Sequence, residues 1–351
     1  MKTETKFGIL RIALAIIISL LISFSIIFLV SKNGMVAIRS MIVGPLQTKR
    51  RIREVLDLMV PLTFTGVGVS LMFSAKQINL GSEGSFHLGG LVATIIILSI
   101  GLPSFLSPLT AIIVAGIAGS LITGIIAVIK IKTGASELIT SLLMNYIVLL
   151  FSNYILNYKI KDVSAGGNAS RKIPEALKLQ RLGLVHWGFI IAIFVVIFAY
   201  IFLYKTKLGY TMRISGSNEK FAKYSGINTI KIILISQLLG GFIAGMGGGV
   251  QLLSMYERFT WVDSLKYGWD AVIVSTIAND NPIFVPLAAF FLAYIRVGAD
   301  AVNRVTDLTP DFIAITQGVI IILIVAKRFL AGFKQRAIAK ESLKKIEREE
   351  Q

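Results

Sequence analysis

Three polar clusters interrupt otherwise apolar sequence, and they are where this chain could do chemistry. In the first, Gly66 to Gly84, an apolar run through Phe73 gives way to Lys76, Gln77, Asn79 and Glu83 before apolar sequence resumes. The second joins Ser136-Glu137 to Asn145-Tyr146, and the third is Trp269-Asp270. Hydrocarbon cannot satisfy an unwound backbone, so a polar break between apolar runs must be buried in protein or face water. Gly81 and Gly84 permit backbone angles that other residues resist, and Asn79 and Glu83 are placed to cap and orient the helix that follows. Ser136-Glu137 reads as a helix start, with Asn145 and Tyr146 two turns deeper. Phe73, Asn79, Glu83, Asn145, Tyr146 and Trp269 are therefore the candidate lining of a route for a polar solute. The competing reading is structural: a capped junction with Glu83 paired to a nearby donor, and an Asn145 that hydrogen-bonds one helix to another. Asp270 is expected to cap its helix. Arg296 and Asp300, one turn apart, are spaced to pair.

Several chemistries are excluded. The chain has no cysteine, so disulfides, thiol catalysis and cysteine-held metals are out. His87 and His186 lie far apart with no His-Glu-x-x-His helix, which argues against a histidine metal site. There is no Gly-Lys dipeptide and hence no Walker A loop, and no Gly-x-Ser-x-Gly elbow. No catalytic residue, metal or cofactor is expected.

The elements that must position these clusters are set by composition. The 351 residues are 55% hydrophobic and 16% charged, with a mean hydropathy of +0.77. A soluble fold could not bury that much apolar side chain, and disorder fails for the same reason. The class is an all-α polytopic membrane protein. Its net charge of +17 fits basic loops beside anionic lipid better than nucleic acid. Apolar runs mark about ten spans: 12–30, 58–75, 86–100, 109–129, 138–156, 187–204, 232–253, a short 267–278, 283–295 and 312–326. The first, with Lys2, Lys6 and Arg11 before it, is long for a signal peptide and reads as a retained helix. Ten spans place both termini on the cytoplasmic side, together with the basic segment 205–228 and the basic tail 327–351. The equally basic loops 31–57 and 157–185 then fall outside, against the usual bias. Short interfacial helices in those loops are the expected reason, one of them over Pro174–Leu182. The organisation is thus 1–57 (first helix and basic loop), 58–326 (core) and 327–351 (tail). Gly66 and Gly68 in the first half, and Gly245, Gly247, Gly248 and Gly249 in the second, suggest paired interrupted spans and a weak internal repeat. The alternative is that these glycines only allow close helix packing.

Residues 211–227 are not a generic loop. Asn218 is a good N-cap, Glu219 sits where the helix dipole favours an acid, and Gly226 sits where a helix stops. The result is a helix of about two turns, too short to persist alone, so it must dock on something, with Ala222 and Tyr224 interleaved among polar residues.

Taken in order, these stretches resemble the permease subunit of bacterial ABC importers for nucleosides and simple sugars, a family distantly related to branched-chain amino acid and ribose permeases. Asn79-Leu-Gly-Ser-Glu-Gly84 is similar to the family's Asn-Ile-Gly-Ala-Glu-Gly, departing at Ser85, where glutamine is usual. Glu137 to Tyr146 is similar to a second motif. Gly209 to Asn228 is similar to a third, with Arg213, Gly216, Asn218, Gly226 and Ile227 matching and Phe221 and Lys223 departing. Gly268-Trp-Asp-Ala-Val-Ile-Val, Asn281-Pro282 and Arg296-Val-Gly-Ala-Asp300 complete the set. The resemblance implies a non-enzymatic subunit that forms a pathway with a second permease, more readily as a heterodimer than a homodimer. It also implies a cytoplasmic ABC ATPase, which docks on Arg213, Gly216, Asn218, Ala222, Tyr224, Gly226 and Ile227. An extracytoplasmic binding lipoprotein would deliver the ligand at the bacterial inner membrane. A branched-chain amino acid permease, a stand-alone secondary transporter and a membrane-embedded enzyme are the rivals. No coupling-ion site or catalytic constellation is visible for the last two.

Overall fold

The computed structural model of the protein describes residues 33–99, 101 and 103–306, with Ser25, Phe28 and Gly318. The expected first and tenth spans and the tail lie outside the described residues. Two compact units result: residues 52–293, and the described parts of 1–51 and 294–351.

Helices account for nearly all regular structure. They are α1 (Gly34–Val43), α2 (Lys49–Ser74), α3 (Ser82–Ser99), α4 (Leu106–Thr133), α5 (Glu137–Ile155, extended by a π turn Leu156–Ile160) and α6 (Trp187–Lys205). They continue with α7 (Lys207–Ser217), α8 (Glu219–Tyr224), α9 (Thr229–Met255), α10 (Tyr267–Ile277) and α11 (Val285–Asn303). Among the described residues, seven elements are long and apolar enough to cross a membrane: α2 to α6, α9, and α11 with its preceding turn. The expected eighth span is instead a half-helix. Its 11 residues reach only about 16 Å, half the hydrocarbon. The second span begins at Lys49 rather than 58, because the basic residues of its first turns lengthen a helix whose apolar part follows.

The glycine-marked breaks are absent. α2 runs unbroken through Gly66 and Gly68, and α9 through Gly245 to Gly249. The glycines instead let backbones touch. A Cβ at Gly89 would lie 2.2 Å from the Gly245 carbonyl oxygen, one at Gly119 2.4 Å from that of Gly241, and one at Gly248 1.9 Å from that of Phe86. No side chain larger than hydrogen fits there, which welds α3, α4 and α9 into the core of the larger unit. α5 is the opposite case: only 17% of its most apolar stretch is buried.

The loop between α5 and α6 folds back on one end of the bundle. The expected helix over 174–182 is a single 3-10 turn (Glu175–Leu177) followed by a hairpin, β1 (Arg181–Leu182) and β2 (Val185–His186), that turns on Gly183 at φ +70°. The two leucines were too few to bury a helical face. Backbone bonds from Ser170 to Phe259, Ile173 to Glu257 and Leu179 to Leu253 sew this loop to the last turn of α9 and the chain after it. Asp162 anchors it through Arg258 at 2.6 Å. The Ser164 hydroxyl and then the Arg258 guanidinium hold the Asp162 carboxyl at about 2. In the smaller unit α1 lies against the end of α11, where a Cβ on Gly298 would meet the Met41 carbonyl oxygen at 2.6 Å.

Candidate functional site

Among the described residues, the polar break expected near Asn79 lies between α2 and α3. After Ser74 the chain turns through Lys76 at φ +57° and runs extended over residues 77–80 before α3 begins at Ser82. Its backbone groups need partners, and α5 supplies them. Glu137, Ser141 and Asn145 stand at i, i+4 and i+8, hence on one face of that helix. The Glu137 carboxylate accepts from Ile78 N (3.1 Å), Ser141 Oγ accepts from Leu80 N (3.1 Å), and Asn145 accepts from Gly84 N (2.9 Å) while donating to Leu80 O (3.0 Å). A helix face thus pairs with an extended strand as a neighbouring strand would, and the two run parallel.

A buried polar network closes around the latch. Asn79, fully buried, accepts from Gly81 N and donates to Gln237 Oε1 at 2.6 Å. Gln237 donates to the second Glu137 oxygen at 2.8 Å, and Lys130 reaches both Glu137 (2.6 Å) and Gln77 (2.7 Å). Glu137 is therefore a paired carboxylate, and every member named here has a partner.

Glu83 does not cap its own helix. Its carboxylate, 4% exposed, accepts from Ser264 Oγ (2.6 Å), Lys266 N (2.9 Å) and Gly268 N (2.6 Å). It therefore caps α10 across space, the task assigned in sequence to Asp270, which lies one turn into that helix. The two N-termini nearly touch, since a Cβ at Gly268 would lie 2.3 Å from Glu83 N. The N-terminus of the half-helix α10 and that of the spanning helix α3 therefore meet around one carboxylate, where both dipoles favour negative charge.

Of the six expected pathway residues, the structure gathers Asn79, Glu83 and Asn145 at the break, with Phe73 packed beside Ala271 just before it. Tyr146 and Trp269 are not gathered there: they are 67% and 46% exposed on the unit's surface. Sequence reasoning gave no role to Ser141, Gln237, Ser264 or Lys130. For Ser141 its position midway between Glu137 and Asn145, four residues from each, was an available signal. For Gln237 and Ser264 no local signal exists.

The segment 207–227 sits where α2 ends. α8 is the expected short helix: Asn218 accepts from Phe221 N at 3.0 Å, and Gly226 stops it at φ +77°. Gly216 is pressed on α2, where a Cβ would lie 2.1 Å from Ser74 O. Met212 packs with Ala75, the first residue of the break, and with Ile232 and Ile227. Arg213 lies 4.7 Å from the Tyr204 ring. Ala222 differs from expectation: it is wholly buried against its own chain, and the outward residues of α8 are Phe221 and Tyr224, the latter 93% exposed.

Membrane-spanning helices around a broken, polar, protein-latched core define a multi-pass membrane permease. Residues 51–326 match the family described as the branched-chain amino acid transport system permease component, and the chain belongs to that family. It is 27% identical over 307 residues to the glucose ABC transporter permease protein of Haloferax volcanii, covering 84% of this chain and 81% of that one. It is 26% identical over 293 residues to the guanosine ABC transporter permease protein of Bacillus subtilis (80% and 83% covered). With the nucleoside ABC transporter permease protein of Lactococcus lactis it shares 25% identity over 350 residues, 95% of each chain.

Proposed function

We propose that this chain is the pathway-forming permease subunit of an ATP-driven importer for nucleosides or a simple sugar. The observation that carries the reading is the latched break at residues 75–81. It joins the facing N-termini of α3 and the half-helix α10 on one side to the segment 207–227 on the other. Motion delivered to 207–227 would be felt at Ser74 and Ala75, and from there along the extended strand to Glu83. The substrates for which the relatives are named, glucose, guanosine and nucleosides, support that ligand class, and a branched-chain amino acid is the weaker candidate.

In this reading the chain pairs with a second, non-identical permease. A cytoplasmic ABC ATPase receives α8, contacting Phe221 and Tyr224 rather than Ala222, with Arg213, Gly216, Asn218, Gly226 and Ile227 holding the segment's shape. A binding lipoprotein presents ligand at the opposite end. Both termini are cytoplasmic in a bacterial inner membrane, with about ten passages: the seven long helices, one made by the half-helix α10 with the extended chain before it, and two outside the described residues. Asn79, Glu83 and Asn145 hold the pathway wall, and Phe73, Tyr146 and Trp269 are surfaces the ligand or the partner permease meets. The test is import of radiolabelled guanosine, adenosine, cytidine, ribose and glucose by cells carrying the intact transporter or lacking this chain. Uptake of none of them, or undiminished uptake without the chain, would refute the reading. A cysteine at Ser217 should be shielded from an impermeant thiol reagent in intact cells; labelling from outside would overturn the orientation.

A further inference from the structure

We infer that the rings of Phe86, Phe259, Trp261 and Tyr267, edged by His87 and Gln251, form a subsite for the base of a nucleoside; this rests on the transport reading above. The six side chains come from α3, α9, the segment 256–266 and the first residue of α10, and all are buried. They form one contiguous cluster. Phe86 stacks on Trp261 (centroids 5.6 Å, planes 13° apart) and leans on Tyr267 (5.1 Å). His87 stands edge-on to Phe259 (5.8 Å) and Trp261 (5.9 Å), and Gln251 donates to the Tyr267 hydroxyl at 3.3 Å.

What sets this cluster apart is its unmet polarity. His87 is 3% exposed, yet neither of its ring nitrogens has a hydrogen-bond partner among the described residues. The same holds for the indole N–H of Trp261 and the amide oxygen of Gln251. Buried polar atoms are nearly always paired, and leaving one unpaired is costly. Glu83, Asn79, Asn145 and Gln237 are all satisfied nearby, whereas four partnerless atoms fall together in this one cluster. A ligand is the partner these atoms lack. Neutral histidine offers one donor and one acceptor, tryptophan a donor, and the glutamine oxygen an acceptor. Donors and acceptors side by side on the rim of a flat aromatic chamber match a nucleobase, whose face stacks on rings and whose edge alternates the two. A simple sugar would use the polar atoms but has no planar face for several rings.

The rings now occupy the chamber themselves. Trp261 is seated on Gly90, where a Cβ would lie 2.1 Å from the indole ring. It is carried on a segment without helical structure whose ties run to the loop 162–173, to Asn153 and, at its far end, to Glu83. Withdrawal of residues 256–266 would unseat Trp261 and open the space beside Phe86 and His87, at the level where Glu83 holds α10.

The experiment replaces this chain in its own host by His87→Phe, which keeps a ring and removes the unpaired nitrogens, and by His87→Gln, which keeps a donor and an acceptor. Uptake of guanosine, adenosine, cytidine, ribose and glucose is measured with the amount of subunit in the membrane and its melting temperature. The expected result is an apparent KM for the imported nucleoside raised about tenfold in His87→Phe. Melting temperature should be unchanged or raised, and His87→Gln should recover much of the affinity. An unchanged KM and compound preference in His87→Phe would overturn the inference, as would loss of that variant from the membrane or import of ribose or glucose alone. Import of none of the five by the parent chain would instead refute the transport reading, and the subsite with it.

Discussion

Glu83→Gln should release the N-terminus of α10 while leaving the rest of the bundle in place. The carboxylate accepts three hydrogen bonds in a buried setting, two on Oε1 from Ser264 and Lys266 and one on Oε2 from Gly268. Glutamine can keep its oxygen at the Oε1 position, but its NH2 then faces the Gly268 N–H, donor against donor. Hydrogen bonds to charged groups are worth about 1.5–3 kcal/mol each, and an unsatisfied buried N–H costs about as much. Losing one such bond and weakening two sets the cost at about 2 kcal/mol. If α10 opens locally, the Lys266 and Gly268 amides should exchange hydrogen about thirtyfold faster at that cost, measured by mass spectrometry on the purified subunit. Amides in the middle of α9 should not change. Glu83→Ala, which removes all three acceptors, should cost about 4 kcal/mol and accelerate exchange further. If Glu83→Gln leaves Lys266 and Gly268 as protected as before, or speeds every amide equally, Glu83 is not the cap of this half-helix.

Gly216→Ala places a methyl against the Ser74 carbonyl oxygen, so it should lower the melting temperature and uncouple ATP hydrolysis from transport; an unchanged melting curve would refute the contact. Tyr224→Ala, at a position 93% exposed, should leave stability within about 0.5 kcal/mol yet weaken co-purification of the ATPase, whereas Ala222→Glu, aimed into the chain, should unfold α8 and lower protease resistance there. His186 accepts from Gly188 N at 3.0 Å as the N-cap of α6, and burial lowers its pKa from 6.5 to about 4, a shift only partly countered by the nearby Asp57 carboxylate. Because the folded pKa is the lower one, the unfolded chain binds the extra proton between these values. Stability is therefore full above about 6.5 and falls as pH drops toward 4, by up to about 3 kcal/mol; a melting temperature flat across that window would show that His186 is not the titrating group.

The sequence made some features legible and hid others for physical reasons. Asn218, Glu219 and Gly226 carry local capping rules, so α8 could be read to within a residue. The polar interruption near Asn79 was visible because six residues of mixed polarity cannot sit in a span unpaired. The glycine runs misled because glycine serves equally for a break and for close approach, and only a neighbour such as the Gly245 carbonyl decides between them. Glu83 misled differently. A first-turn acid normally serves its own helix, and its true partners at Ser264, Lys266 and Gly268 are more than 180 residues away. Ala222 looked outward because it lies among charged residues, yet a helix of six residues still has an inner face, and the alanine occupies it.

The glycine-to-carbonyl contacts of α3, α4 and α9 leave no layer of side chains between those backbones. Side chains give under load by changing rotamer; backbones pressed together do not. These three helices should therefore keep fixed mutual distances in every state of the transport cycle. That makes them a fiducial frame: spin or fluorescent labels on Ser99, Leu121 and Met255 should report constant separations, and against them displacement of α10, of residues 256–266 or of α7 can be measured in absolute terms.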